Sequence, residues 1–409
     1  MDLPRQLTLL RSATLPDGSL VDVVIDGATV AEVRPAAGIA HEGDLDLAGH
    51  ILLPAPAEPH AHLDKALSWD LIAPPAGDLV RAIESWRAYS VGMSVESIEE
   101  RALTAALGML RNGTTAIRSH VDMLIGDDPL RGARALVNVR ERLRGLVELE
   151  LVALPGPDIP DETIEAALDL GLDSVGGAPH LADDPIDDLH RLLAIAERRG
   201  LPVDLHTDEA LHGDPTLLEF ARIVRDWPVN VSAGHCVRLG TLAPGELAPV
   251  VEAVRASDIG IISLPITNLY LQGWDDPVST PRGLTALRAL LDAGVRVAAG
   301  ADNVRDPFNP VGRSDALETA SLLVTAGHLS LQEAVHAVTT GARSVLGLPE
   351  AGPTPGARAD LLAVRGSNLS DVVANAPADR YVIAGGRLVS RSVTVTETAP
   401  LPSPVLESR

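Results

Sequence analysis

Eight short apolar segments separated by helical patterns constrain this chain more than any other feature. They fall at residues 51–56, 115–121, 149–154, 174–179, 203–207, 229–233, 259–264 and 295–299, with helical spacing at 97–111, 161–170, 185–199 and 282–293. Apolar runs of four to eight residues alternating with helices read as parallel strands joined by right-handed crossovers. Eight such strands favour closure into an α/β fold, a (β/α)8 TIM-like barrel. Its active site would lie at the C-terminal strand ends, so polar residues there carry the functional reading.

His60 and His62 follow the first run, His206 and Glu209 the fifth, His235 the sixth, and Asp302 and Asn303 the eighth. Residues two apart on a strand point the same way, so His60 and His62 can converge on one ion through neutral ring nitrogens. Three histidines and one aspartate at one mouth form a competent site for zinc or iron, with Glu209 and His235 left over for proton transfer. Chance placement among twelve histidines is the bland alternative, and suitable residues at four strand ends argue against it.

The flanks have a different character. Residues 1–54 read as short alternating strands broken by Asp-Gly and Pro turns, and 355–391 return to strand character. The expected organisation is a small β-sandwich built from both ends, a catalytic barrel at 55–354 and a flexible tail at 392–409. A net charge of −23 argues against nucleic acid or an anionic membrane surface as partners. Cys236 is the only cysteine, which rules out an intramolecular disulfide, and it is expected in the core. Neither a signal-peptide pattern nor an apolar run of about twenty residues is seen, so the expected location is cytoplasmic.

Six stretches resemble one family. They are the Glu-Pro-His-Ala-His-Leu-Asp run at 58–64 and those at 119–122, 175–180, 204–209, 268–273 and 302–307. Together they make the chain similar, over almost its whole length, to the amidohydrolase superfamily and, within it, to the cytosine deaminase-like hydrolases. The resemblance implies a single divalent metal, zinc or iron, held by His60, His62, His206 and Asp302. It assigns Glu209 to proton shuttling and His235 to orienting the attacking water. Relatives with two metals bridge them through a lysine at the third or fourth strand. Lys65 follows the first strand and is the only lysine, so that bridge is not available. The implied reaction is deamination of a nitrogen heterocycle, a cytosine-like aminopyrimidine or related ring, with release of ammonia. Removal of an alkylamine from an aminotriazine, opening of a cyclic amide and a non-catalytic scaffold are the alternatives. The implied partner is a small heterocycle, and a homo-oligomer is compatible with the sequence.

Two departures from the cytosine deaminase pattern bear on the substrate. Gly156 stands where those enzymes carry a pyrimidine-reading glutamine, and Asn303 replaces a second aspartate. Lys65 reads either as a surface residue or as a feature shared with triazine-processing relatives. His120 and Asp122 read as pocket-lining or as supporting hydrogen-bond partners, and His180 as a substrate contact or a loop residue. Among only nine aromatic residues, Trp69, Tyr270, Trp274 and Phe308 follow strand ends. Phe308 and one of Trp69 or Trp274 are expected to wall the substrate, because a flat ring needs apolar faces.

Overall fold

The computed structural model describes residues 3–38 and 43–399. Eight parallel strands follow one another in chain order: Ala57–Ala61, Ala116–Asp122, Glu148–Leu154, Ser174–Val175, Val203–Thr207, Val231–His235, Gly260–Ser263 and Val297–Ala299. A parallel bridge between Ala61 and Asp302 joins the first strand to the chain leaving the last. The sheet is a nearly closed barrel with helices on its outside, the expected (β/α)8 architecture. The helix Pro185–Arg199 is typical of them. Asp184 caps its N-terminus by accepting from the Asp187 amide, Leu189, Leu192, Leu193 and Ala196 form its buried stripe, and Gly200 at φ +64° ends it.

Both ends of the chain contribute to a separate β-sheet domain. Its nine strands include Leu9–Thr14, Leu20–Asp26 and Thr29–Pro35 from the first part of the chain and Leu361–Arg365, Arg380–Ala384 and Arg387–Ser392 from the last. Leu7, Leu10, Val23, Leu361, Ile383 and Leu388 give this sheet its own buried cluster. Of the tail expected at 392–409, Ser392 closes the last strand, 393–399 have no regular structure, and 400–409 lie outside the described residues.

The run at 51–56 is a correction. It is not the first barrel strand: His50–Pro54 pairs antiparallel with Leu361–Arg365 in the terminal sheet, and the barrel begins three residues later at Ala57. Alternating residues explain its unbroken apolarity. Ile51 and Leu53 enter the barrel's core cluster while Leu52 enters that of the terminal sheet, so both faces of the strand are buried. Pro54 and Pro56 have no amide hydrogen to continue a ladder, and the chain changes sheet there.

Glu58 holds the barrel's closing seam. Its buried carboxylate accepts from the Ala301 amide at 3.0 and 3.2 Å, from the His60 amide at 3.3 Å and from Ser314 Oγ at 3.0 Å. Gly300 leaves room for it, since a Cβ there would lie 2.1 Å from Glu58 Oε1. Gly300→Ala should therefore cost about 1–3 kcal/mol by overpacking the seam. Calorimetry should show a lower melting temperature than the parent's, and an unchanged one would mean that Glu58 is not a clamp.

Candidate active site

Alternate residues of several barrel strands point inward, and near the C-terminal ends these residues are polar. The lower layer contains Arg118 of the second strand, Asp204 of the fifth and Ser232 of the sixth; Arg118 Nη1 lies 3.3 Å from Asp204 Oδ2 and 2.8 Å from Ser232 Oγ. Two residues further along the same strands come His120, His206 and Gly234, beside His60 of the first strand. Gly234 is required by contact: a Cβ would lie 2.7 Å from His60 Cε1.

The upper layer brings three imidazole nitrogens together. His206 Nε2 lies 3.1 Å from both His60 Nε2 and His62 Nε2, and His62 Nε2 lies 3.2 Å from Asp302 Oδ1. All four side chains are buried. Burial holds the pKa of His60 down to about 4 and those of His62 and His206 well below the usual value, so the rings are neutral. One proton cannot satisfy three mutually facing nitrogens. A divalent cation can: ligand nitrogens about 2.0–2.1 Å from one ion stand about 3 Å apart. Asp302 Oδ1 has no hydrogen-bond partner, which makes it the fourth donor the set needs. The residues present fit a metal.

Below His60 the chemistry differs. His120 Nε2 is 3.0 Å from His60 Nδ1 and 3.4 Å from Asp204 Oδ2. Burial works against a charge on Asp204, but hydrogen bonds from His120 and His60 together with the Arg118 guanidinium outweigh it and hold its pKa well below the carboxylate range. The Arg118 cation already occupies that oxygen, so this cluster is a support for His60 and a poor second metal site.

Glu209 and His235 stand beside the metal set. Glu209 Oε1 is 3.4 Å from His235 Nδ1, and His235 Nε2 is 3.9 Å from Asp302 Oδ2. Burial raises the Glu209 carboxyl to about 8, with Lys65 opposing, and raises Asp302 well above its usual value by burial and then by the nearby Glu209 charge. These groups line a cavity of about 580 Å³ together with His62, His206, Gly156, Asn303 and Phe308. Its outer wall is the helix Leu79–Ser90, which presents Leu79, Ile83, Trp86 and Ser90 on one face.

The remaining expectations divide. Gly156 lines the cavity and a Cβ there would meet nothing within 4 Å. Asn303 lines it too, and its Nδ2 donates to Asp306 at 2.7 Å. His180 stands behind the wall, its Nδ1 3.2 Å from the His206 carbonyl and its Nε2 3.8 Å from Glu209. Phe308 is in the wall, but neither Trp69 nor Trp274 lines the cavity, which corrects the expected aromatic pair. Trp69 starts a short helix tied to the Arg305 carbonyl, and Trp274 is 48% exposed and packs edge-on against Tyr270. Trp86 takes the place expected for them, and its indole donates to Asp122 Oδ2 at 2.7 Å. The signal for Trp86 was present in the helical spacing of Leu79, Ile83, Trp86 and Ser90. Lys65 is buried in the cavity and not on the surface, 3.0 Å from Asp122 Oδ1 and 3.2 Å from His62 Nδ1. Burial opposes its charge, but Asp122 and Asp64 outweigh that and raise its pKa. Cys236 is buried, which pushes its thiol well above the usual value.

The contact at Gly234 yields a test. Gly234→Ala should push the His60 ring out of place, so that elemental analysis finds well under one metal per chain where one is expected in the parent, with circular dichroism unchanged. Two tightly held metals in the parent, or full occupancy in the variant, would contradict this geometry.

Residues 105–390 match the amidohydrolase family. A pterin deaminase of Rhizobium rhizogenes is 30% identical over 91% of this chain and 88% of its own length. The solved 5-methylcytosine deaminase of Klebsiella pneumoniae superposes with a TM-score of 0.86 at 26% identity, covering 96% of this chain and 99% of that one. The N-isopropylammelide isopropylaminohydrolase of Burkholderia multivorans gives a TM-score of 0.79 at 30% identity, covering 94% and 98%. Together with the barrel, this likeness means that the chain belongs to the amidohydrolase family and is a hydrolase of non-peptide carbon–nitrogen bonds.

Proposed function

We propose that the protein deaminates an amino-substituted nitrogen heterocycle with one divalent metal, zinc or iron, held by His60, His62, His206 and Asp302, and that its preferred ring is a fused bicycle of the pterin type. The observation that carries this reading is the placement of Glu209, His235 and Asp302 on the floor of a cavity whose wall is open at Gly156. No side chain at 156 reads the edge of a single ring, and the space left there suits a larger one. The pterin deaminase among the relatives supports the same choice.

When bound, the cation makes water a far stronger acid and polarises the substrate. Asp302 takes a proton from the attacking water, and His235 steadies its oxygen. Glu209, buried and prone to hold a proton near neutrality, donates it to a ring nitrogen; Asp302 passes the proton it took from water to the departing amine, and the hydroxyl proton left on the ring carbon returns to Glu209 as the carbonyl forms. The ring carbon gains an oxygen and loses nitrogen as ammonia. Phe308 and Trp86 supply apolar faces for the ring. A second reading, loss of an alkylamine from an aminotriazine, is favoured by Lys65, whose buried ammonium faces the cavity and suits an oxo-substituted ring.

A screen for released ammonia and alkylamine across pterins, cytosine, 5-methylcytosine and amino-triazines tests the choice of ring. The highest kcat/KM is expected on a pterin, and exclusive alkylamine release would move the assignment to the second reading. On the best substrate, Glu209→Gln should keep one metal per chain and lower kcat by about a hundredfold or more. Near-normal turnover would reassign the proton shuttle. Phe308→Ala should raise KM about tenfold, whereas Trp274→Ala should stay within about twofold of the parent. Equal effects of the two would undo the assignment of the wall.

A further inference from the structure

The chain after the seventh barrel strand forms a short helix, Pro265–Leu271, and Asn268 sits within it. Asn268 is fully buried, and its Nδ2 lies 3.0 Å from His235 Nδ1. One turn further on, Gln272 Nε2 donates to the Glu209 carbonyl oxygen at 2.8 Å. The returning chain presses this segment into place, since a Cβ on Gly283 would lie 2.7 Å from Gln272 Cβ and 3.0 Å from the Asn268 carbonyl oxygen. From that returning chain Thr285 Oγ1 donates to the His235 carbonyl oxygen at 2.6 Å. His235 is thus held at its backbone and at Nδ1, while its Nε2 has no hydrogen-bond partner.

We propose that Asn268 is a positioning residue that fixes the tautomer of His235, keeping the ring proton on Nε2 and the Nδ1 lone pair turned to the carboxamide. The proposal deepens the reading of His235 as the group that steadies the attacking oxygen. A neutral imidazole has one N–H, and a nitrogen that accepts from an amide cannot carry it. Glu209 Oε1 also faces this Nδ1, at 3.4 Å, but the Asn268 carboxamide makes the shorter contact at 3.0 Å and decides the proton's place. The proton is then on Nε2, facing the Asp302 carboxylate at 3.9 Å, where a donor is needed as negative charge develops on the reacting oxygen. The reversed carboxamide would turn a bare Nε2 lone pair toward that carboxylate. It would also exchange the unpartnered atom: Asn268 Oδ1 is the one left without a hydrogen bond, and an orphaned oxygen is cheaper to bury than an orphaned NH2. Asn268 touches no reacting atom in this account and acts through His235.

The test is the tautomer itself, read at neutral pH on zinc-loaded protein labelled with 15N-histidine. Two-bond proton–nitrogen correlations distinguish protonated from bare ring nitrogens, and the His235 signals are those lost in His235→Asn. In the parent, Nε2 is expected protonated and Nδ1 bare. A proton on Nδ1, alone or together with Nε2, overturns the proposal without any variant. Asn268→Asp offers an acceptor in place of a donor and is expected to bring a proton to Nδ1 while one zinc per chain is kept; a parent-like pattern in that folded variant also overturns the proposal. No substrate is required, so a wrong choice of heterocycle would appear as silence in the ammonia screen and leave the tautomer result standing.

Discussion

The meeting of three neutral imidazole nitrogens and a carboxylate at little more than 3 Å is the constraint that the rest of the barrel mouth serves. Such a cluster has too few protons to bind itself together, and burial denies it water as a partner. A cation fits it, and the surrounding structure holds the four groups in place beforehand. Gly234 gives the His60 ring its room, and His120 supports its other nitrogen. Beneath them Arg118 and Asp204 fill an interior that in most barrels holds Val, Ile and Leu. A charge pair so deep is tolerated because its members are joined by short contacts to each other, to His120 and to Ser232.

The same strand ends carry backbone strain. Asp208, His235, Cys236 and Asp302 all have φ between +49° and +67°, a region that costs a residue with a side chain about 1–2 kcal/mol. Hydrogen bonds offset that cost. The Asp208 carboxylate accepts from the Thr216 amide and hydroxyl at 2.7 and 2.8 Å and from the Leu217 amide at 3.1 Å, which fixes the turn from which Glu209 projects. The Cys236 amide donates to the Thr207 carbonyl at 2.9 Å, binding the sixth strand end to the fifth. Left-handed turns here let the chain leave the barrel abruptly while the functional side chains stay turned inward.

What was legible in the sequence followed from periodicity and from residue type. Short apolar runs between helices announced the barrel, and histidines spaced by two or set at strand ends announced the cluster that meets at its mouth. The run at 51–56 was misread because a strand buried on both faces looks the same whichever sheet it joins; the partner that decides it, Leu361–Arg365, lies some three hundred residues away. Trp69 and Trp274 were misread for a related reason: following a strand end in sequence does not specify which way a loop folds. Trp86 sits on the helix Leu79–Ser90, whose apolar face reads equally well as core or cavity. Asn268 opens one of the six family-like stretches, but its role was not readable there, since it exists only where Asn268 meets His235 across the barrel mouth.

Charge balance at the mouth restricts what can enter. Glu58, Asp64, Glu209, Asp302 and Asp306 are all buried near it, and burial raises every one of these carboxyls, Asp64 and Glu58 to about 7 and Asp306 to about 6. Set against them are Lys65 and the cation that the histidines can hold. Lys65 is engaged by Asp122 and sits 5.0 Å from the centre of the Phe308 ring, so its charge is already shared between a carboxylate and an aromatic face. Burial thus favours the neutral form of these carboxyls, and a cationic substrate would compete with the metal. A neutral, flat ring with a hydrogen-bonding edge adds no charge and can lie against Phe308 and Trp86. The shape of the cavity thus supports the class of molecule proposed above.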